Sequence, residues 1–216
     1  MATILGITGG IGSGKSSVSR LLSSYCLAPL IDLDQCCRHL LDRGQAGWQV
    51  LHEAFGATYE LANGSIDRRK LREEIFRDAG IRRRVDSLLH PLALSLMHEQ
   101  INAVQHETHL VLVEIPLLYE AAWHMQVDTV LVVYARRAVQ CCRLMRRDGV
   151  DRRQARRALS TQLDLGKKAR MADYVIDNSR NWLETRRAVV ALGDTLCSEQ
   201  EMINIKKQEK VLDSAS

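Results

Sequence analysis

The sequence predicts an α/β fold, a parallel sheet flanked by helices, and three observations predict it. The stretch Gly9-Gly10-Ile11-Gly12-Ser13-Gly14-Lys15-Ser16 fits the phosphate-loop pattern G-x-x-x-x-G-K-[ST]. Short apolar runs alternate with helical periodicity along the chain, the pattern of strands buried on both faces by crossover helices. Polar residues cluster just past the ends of those runs, where open parallel sheets bind ligands.

The elements follow in order. Thr3-Ile4-Leu5-Gly6-Ile7-Thr8 is apolar and β-favouring and makes the first strand. The phosphate loop comes next. Its glycines let backbone N–H groups turn inward around a phosphate chain, and the helix that starts behind it adds partial positive charge. Gly10, Ile11, Gly12, Ser13, Gly14, Lys15, Ser16 and Ser17 are the candidate nucleotide contacts. Lys15 is expected to reach the β- and γ-phosphates and the Ser16 hydroxyl to ligate Mg²⁺. Pro29-Leu30-Ile31 reads as a second strand ending at Asp32-Leu33-Asp34, followed by a helix through Arg38, Leu40 and Leu41. Trp48, Leu51 and Phe55 keep helical spacing up to Gly56, and Asn63-Gly64 marks a turn. Asp67 caps a helix carrying Leu71, Ile75 and Phe76. A long helical pattern from Val85 to Val104 is interrupted at Pro91. Leu110 to Val113 and Val130 to Val133 are buried strands, the first ending at Glu114. An arginine-rich helical region spans 136 to 164, a short strand covers Tyr174 to Ile176, and a closing helix runs from about Leu183 to Leu196. The remainder, 199–216, is polar and charged with weak periodicity and reads as a disordered tail.

Bulk properties bound the function. The chain has 216 residues, 46% of them hydrophobic, enough for one large domain or a core with a small lid. The net charge of +4 suits an anionic substrate and is too small to argue for nucleic acid. Apolar runs fall far short of a membrane span, so no membrane partner is expected, and the chain reads as cytoplasmic, a monomer or weak homo-oligomer. The six cysteines show no C-x-x-C or zinc spacing; reduced thiols in helix packing are expected, for Cys36-Cys37 as well.

A phosphate loop alone fits a GTPase, a transport ATPase or a kinase. The N-K-x-D, D-x-x-G and L-S-G-G-Q partner motifs are absent. A small-molecule kinase needs a group that orients the acceptor hydroxyl and cations that neutralise the moving phosphoryl. Asp32 and Asp34, two residues apart past a strand end, can serve as base and as metal or water ligand. The plainer alternative is a turn with Asp34 capping the next helix. Nine arginines lie between 136 and 157. Arg143 and Arg147, four apart, share a helix face and can meet phosphate oxygens through their planar forks on a closing lid. A solvated helix face is the alternative for most of the nine.

The pattern resembles the dephospho-CoA kinase family from about Ile4 to Asn178. The resemblance rests on T-G-G-I-G-S-G-K-S at Thr8–Ser16, I-D-x-D at Ile31–Asp34 with Arg38, F-G at Phe55-Gly56 and N-G-x-I-D-R at Asn63–Arg68. It continues with His90-Pro91, E-I-P-L-L-Y-E at Glu114–Glu120, R-x-x-x-R-D at Arg143–Asp148, Gln162, and A-D-Y-V-I-D-N at Ala172–Asn178. It implies a P-loop kinase fold occupying 1–198: a core of about 1–34, 108–135 and 172–198, a helical substrate-binding region of about 35–107, and a lid of about 136–165. It implies transfer of the ATP γ-phosphoryl to the ribose 3′-hydroxyl of dephospho-CoA. Asp34 is then the base or orienter, Lys15, Arg143 and Arg147 act on the phosphates, and Ser16 and Asp32 are the candidate metal ligands. Thr8, Asp32, Asp34, Arg38, Arg68, His90, Leu117 and Glu120 become candidate acceptor contacts. Leu33, often alanine in the family, and Cys36-Cys37 are departures. A kinase for another nucleoside or nucleotide is the alternative; a nucleotide-dependent regulator without catalysis would need neither Asp34 nor the lid arginines.

Overall fold

The protein is described by a computed structural model over residues 2–213, with side chains except those of Phe76 and 199–213. By chain contacts it divides into two compact units, 1–31 with 104–216, and 32–103.

The first unit is built on five strands: β1 (Thr3–Gly9), β2 (Leu30–Asp32), β3 (Leu110–Glu114), β4 (Thr129–Tyr134) and β5 (Tyr174–Asp177), in the order β2-β3-β1-β4-β5. β1 pairs in parallel with β3 (Leu5 opposite Leu112) and with β4 (Ile7 opposite Leu131), and β4 pairs in parallel with β5. The apolar runs named in the sequence become the central strands because nothing in them needs water. Leu5, Ile7, Leu112, Leu131 and Val133 are buried together with Val18 and Leu22 of α1 (Lys15–Cys26). Val189, Leu192 and Leu196 of α9 (Trp182–Asp213) join the same core.

The second unit carries α2 (Leu33–Leu40), α3 (Ala46–Phe55), α4 (Arg68–Arg77) and α5 (Ala79–Val104). Most of α5 falls here, around a smaller core of Leu51, Tyr59, Ile66, Leu71 and Val85. Asp67 caps α4 by accepting from the Lys70 N–H, and Gly64, at φ 76°, forms the turn before it.

Four boundaries differ from the sequence reading. α2 starts at Leu33, and Asp32, not Asp34, is its cap, accepting from the Gln35 N–H at 3.1 Å. α5 runs unbroken through Pro91 and starts at Ala79. Proline in a helix interior costs roughly 3 kcal/mol, but Val85, Met97 and Ile101 are buried at helical spacing, each contributing about 1.5–3 kcal/mol. The arginine-rich region is two helices, α6 (Arg137–Asp148) and α7 (Arg152–Leu159), followed by α8 (Leu165–Met171). Gly149, at φ 66°, ends α6, and Asp151 with Gln154 forms a reciprocal capping box that restarts the chain as α7. Finally, α9 continues to Asp213, through most of the stretch read as a tail. That stretch has neither glycine nor proline and is rich in Glu, Gln and Lys, which favour helix. Residues 214–216 of the tail lie outside the described residues.

No helix of the described residues is long and apolar enough to cross a membrane.

Candidate functional site

β1 ends at Gly9, and the loop Gly10–Gly14 leads into α1, whose cap is Gly14. Gly14 sits at φ 87° and Gly12 at φ 73°, left-handed values that favour glycine. A Cβ on Gly12 would also stand 2.8 Å from the Gln140 carbonyl oxygen. The first turn of α1 has no acidic residue and no side-chain cap. The positive end of a helix without an acidic cap favours an anion.

One carboxylate organises the other side of the loop. Glu114, the last residue of β3, is 3% exposed. It accepts hydrogen bonds from Lys15 Nζ, from Ser16 Oγ (2.6 Å) and from Ser19 Oγ. Burial pushes its carboxyl up, but the bonds from Lys15, Ser16 and Ser19, with the Lys15 charge, outweigh burial and leave it below the ordinary carboxylate value. Glu114 is thus ionised and holds both functional side chains of the loop at one point. Ser16 and Glu114 are hard oxygen donors, the type Mg²⁺ takes alongside substrate phosphates. Asp32 spends a carboxylate oxygen on the α2 cap, and no cluster of three His, Cys, Asp or Glu side chains able to hold a metal occurs among the described residues.

The loop is clamped by side chains from α6 and beyond. Both backbone groups of Ile11 are taken by amides: its N–H donates to Gln162 Oε1 (2.9 Å) and its carbonyl accepts from Gln140 Nε2 (2.9 Å). Arg143 donates to the carbonyls of Gly12 (3.3 Å), Ser13 (3.1 Å) and Asn178 (2.9 Å). Asn178 donates to the Ser13 carbonyl at 2.7 Å and is itself fixed by the Thr185 hydroxyl at 2.9 Å. The guanidinium of Arg143 therefore braces the loop rather than standing in solvent. Arg147, one turn on, is 65% exposed and forks onto Asp148 (2.6 and 3.0 Å), which raises its pKa further.

The remaining candidates divide by unit. In the first, Thr8 is fully buried and gives its hydroxyl to the Pro116 carbonyl (3.0 Å). Leu117 is 47% exposed, whereas its neighbour Leu118 is buried. Glu120 accepts from the buried Lys168 ammonium (2.8 Å) and the Leu163 N–H (3.0 Å). In the second, Asp34 is exposed in the first turn of α2. Arg68 donates to the Arg38 carbonyl and to Asp42, both at 2.8 Å, closing the C-terminal end of α2. His90 lies 3.8 Å from Asp86, one turn earlier on α5. Burial first, then the neighbouring carboxylates of Asp34 and Asp32, pushes the Cys37 thiol up to about 11, so it stays a protonated packing group.

Sequence reasoning placed Glu114 at a strand end near the phosphate loop and at the start of the E-I-P-L-L-Y-E motif, without giving it a task. The available signal was a lone charge closing an all-apolar strand, since a buried charge must find partners. Gln162 and Asn178 stood inside matched motifs without an assigned task. Gln140 and Lys168 carried no signal that separates them from other polar residues on a helix.

Comparison with known proteins bears on this geometry. A family model for dephospho-CoA kinase matches residues 3–184. A Staphylococcus epidermidis dephospho-CoA kinase is 33% identical over 216 residues, covering all of both chains. The Thermus thermophilus protein TT1252 superposes with a TM-score of 0.79 at 30% identity, covering 91% of this chain and 97% of that one. For the fold, a dephospho-CoA kinase structure from Campylobacter jejuni superposes with a TM-score of 0.64 at 23% identity, covering 89% and 96%. With a phosphate loop braced on both sides and a family match over most of its length, the chain belongs to the dephospho-CoA kinase family.

Proposed function

We propose that the protein transfers the γ-phosphoryl of ATP to the ribose 3′-hydroxyl of dephospho-CoA, giving coenzyme A and ADP. The observation that carries this reading is the Glu114 node, one buried carboxylate receiving Lys15, Ser16 and Ser19 at the end of a phosphate loop. Family membership supplies the acceptor.

In this reading the loop amides from Gly10 to Ser17 bind the phosphate chain. Lys15 leaves Glu114 for the β- and γ-phosphates when nucleotide enters. Ser16 and Glu114 would hold Mg²⁺, with Asp32 a further candidate, and the ion would offset phosphate charge. Asp34 orients the 3′-hydroxyl and takes its proton as the ribose oxygen bonds to the γ-phosphorus and the bond to ADP breaks. Arg147 releases Asp148 to meet phosphate oxygens, while Arg143 acts by holding the loop. Arg38, Arg68 and His90 of the 32–103 unit are candidate acceptor contacts, and so are Leu117 and Glu120. The protein works in the cytoplasm as a monomer or weak homo-oligomer, without nucleic-acid or membrane partners.

A coupled ADP-release assay tests this. Release should depend on dephospho-CoA and Mg²⁺, and the product should carry a new 3′-phosphomonoester by ³¹P NMR. Equal stimulation by adenosine or AMP would overturn the choice of acceptor.

A further inference from the structure

Lys168 is the largest fully buried side chain of the molecule's described residues, and nothing in the mechanism above uses it. It sits midway along α8 (Leu165–Met171) and is 0% exposed. Its ammonium donates to the Pro116 carbonyl at 3.1 Å and pairs with Glu120 at 2.8 Å. A buried ammonium is retained only where it has such partners, because its desolvation is otherwise uncompensated.

Its partners are the two ends of one short segment. Residues 116–120 follow β3 after the single residue Ile115. The strand end before them is fixed by the Glu114 node and by the Ile115 N–H donating to the Ile7 carbonyl (2.9 Å). Pro116 cannot donate a backbone hydrogen bond, and its carbonyl accepts from both Thr8 and Lys168. The chain then turns through bonds from the Ala121 N–H to Leu117 (2.9 Å), Ala122 to Tyr119 (3.1 Å) and Trp123 to Leu118 (2.8 Å). The result buries Leu118 and leaves Leu117 47% exposed. One ammonium therefore spans the turn and holds its first carbonyl and its last carboxylate together.

We infer that Lys168 is a positioning residue for the acceptor: its buried ammonium holds the 116–120 turn in the form that presents Leu117 outward. The inference rests on the functional reading above, in which Leu117 and Glu120 serve the acceptor. It assigns the ATP side no such dependence on Lys168. The phosphate loop is held separately by Gln140, Gln162, Arg143 and Asn178.

The test compares full-length wild type, Lys168→Met and Lys168→Met/Glu120→Gln. The double variant removes the carboxylate that the single one leaves without its cation, so it stays measurable if the single variant fails to fold. The KM for dephospho-CoA should rise roughly tenfold or more in both variants, with the KM for ATP within about threefold of wild type. Amide exchange without substrate should show Ala121, Ala122 and Trp123 losing protection while Ile115 keeps its own. An acceptor KM that is unchanged, that rises in step with the KM for ATP, or that recovers in the double variant together with the melting temperature would overturn the inference. Unaltered exchange at 121–123 would overturn it also, and independently of the acceptor. Wild-type protein that ignores dephospho-CoA would instead refute the functional reading, and with it the acceptor role of the turn.

Discussion

Glu114 shows how one buried charge can serve folding and chemistry together. Its carboxyl is held below the ordinary value, so it binds fewer protons in the folded state than in the unfolded chain at mildly acid pH. The stability it contributes is complete above the unfolded carboxylate value and is lost as pH falls through the lower, folded one. Urea unfolding as a function of pH should therefore show a smaller acid loss in Glu114→Gln than in wild type, and turnover at neutral pH should fall roughly 10–100-fold, as for groups that orient a metal site. A second residue-scale prediction concerns the two aspartates of the I-D-L-D stretch. Asp34→Asn should lower kcat by about 10²–10⁴, the range for a positioned general base. Asparagine caps as well as aspartate, so Asp32→Asn should keep α2 intact, whereas Asp32→Ala should cost about 0.5–2 kcal/mol in thermal unfolding. A larger kcat loss for Asp32→Asn than for Asp34→Asn would reverse the assignment of base.

Among the elements, α6 bears most on the loop. Its inward face carries Gln140 and Arg143, three apart, and both reach phosphate-loop carbonyls. Arginine makes these contacts because its planar fork offers several donors in fixed directions. Lysine has no such fork, so Arg143→Lys should release the loop and lower kcat/KM for ATP about tenfold or more, read by steady-state kinetics. Arg153→Lys, on the exposed face of α7, should leave kcat/KM within about twofold. Equal effects at both positions would reduce the arginine-rich segment to a basic surface. α9 makes a contrasting case. Among the described side chains, the last that α9 gives to the main core is Leu196. Truncation after Ser198 should therefore leave activity within about twofold and the melting temperature within a few degrees, although the helix continues to Asp213. Aggregation of the truncated protein would show that residues 199–216 cover surface the domain needs.

At the scale of the whole molecule, the sequence determined which stretches become strands and where the phosphate loop lies. Those features depend on local rules: Leu110–Val113 is wholly apolar, and G-x-x-x-x-G-K-S has one workable backbone path. It also carried the family, because ordered motifs from Thr8 to Asn178 survive without knowledge of contacts. Local rules failed where two options were close in energy. Asp32 and Asp34 are both good caps, and only the path of the chain out of β2 selected Asp32. Pro91 reads as a break until the burial of Val85, Met97 and Ile101 outweighs it. Tertiary structure alone decided which polar groups meet: Glu114 with Lys15, 99 positions apart, Gln162 with Ile11, and Lys168 with Pro116 and Glu120. Strand order brings such groups together, and nothing in the spacing of two residues so far apart along the chain encodes it. The physical reason is that a buried charge or amide must find its partner wherever the fold places one, so its identity is local but its task is not.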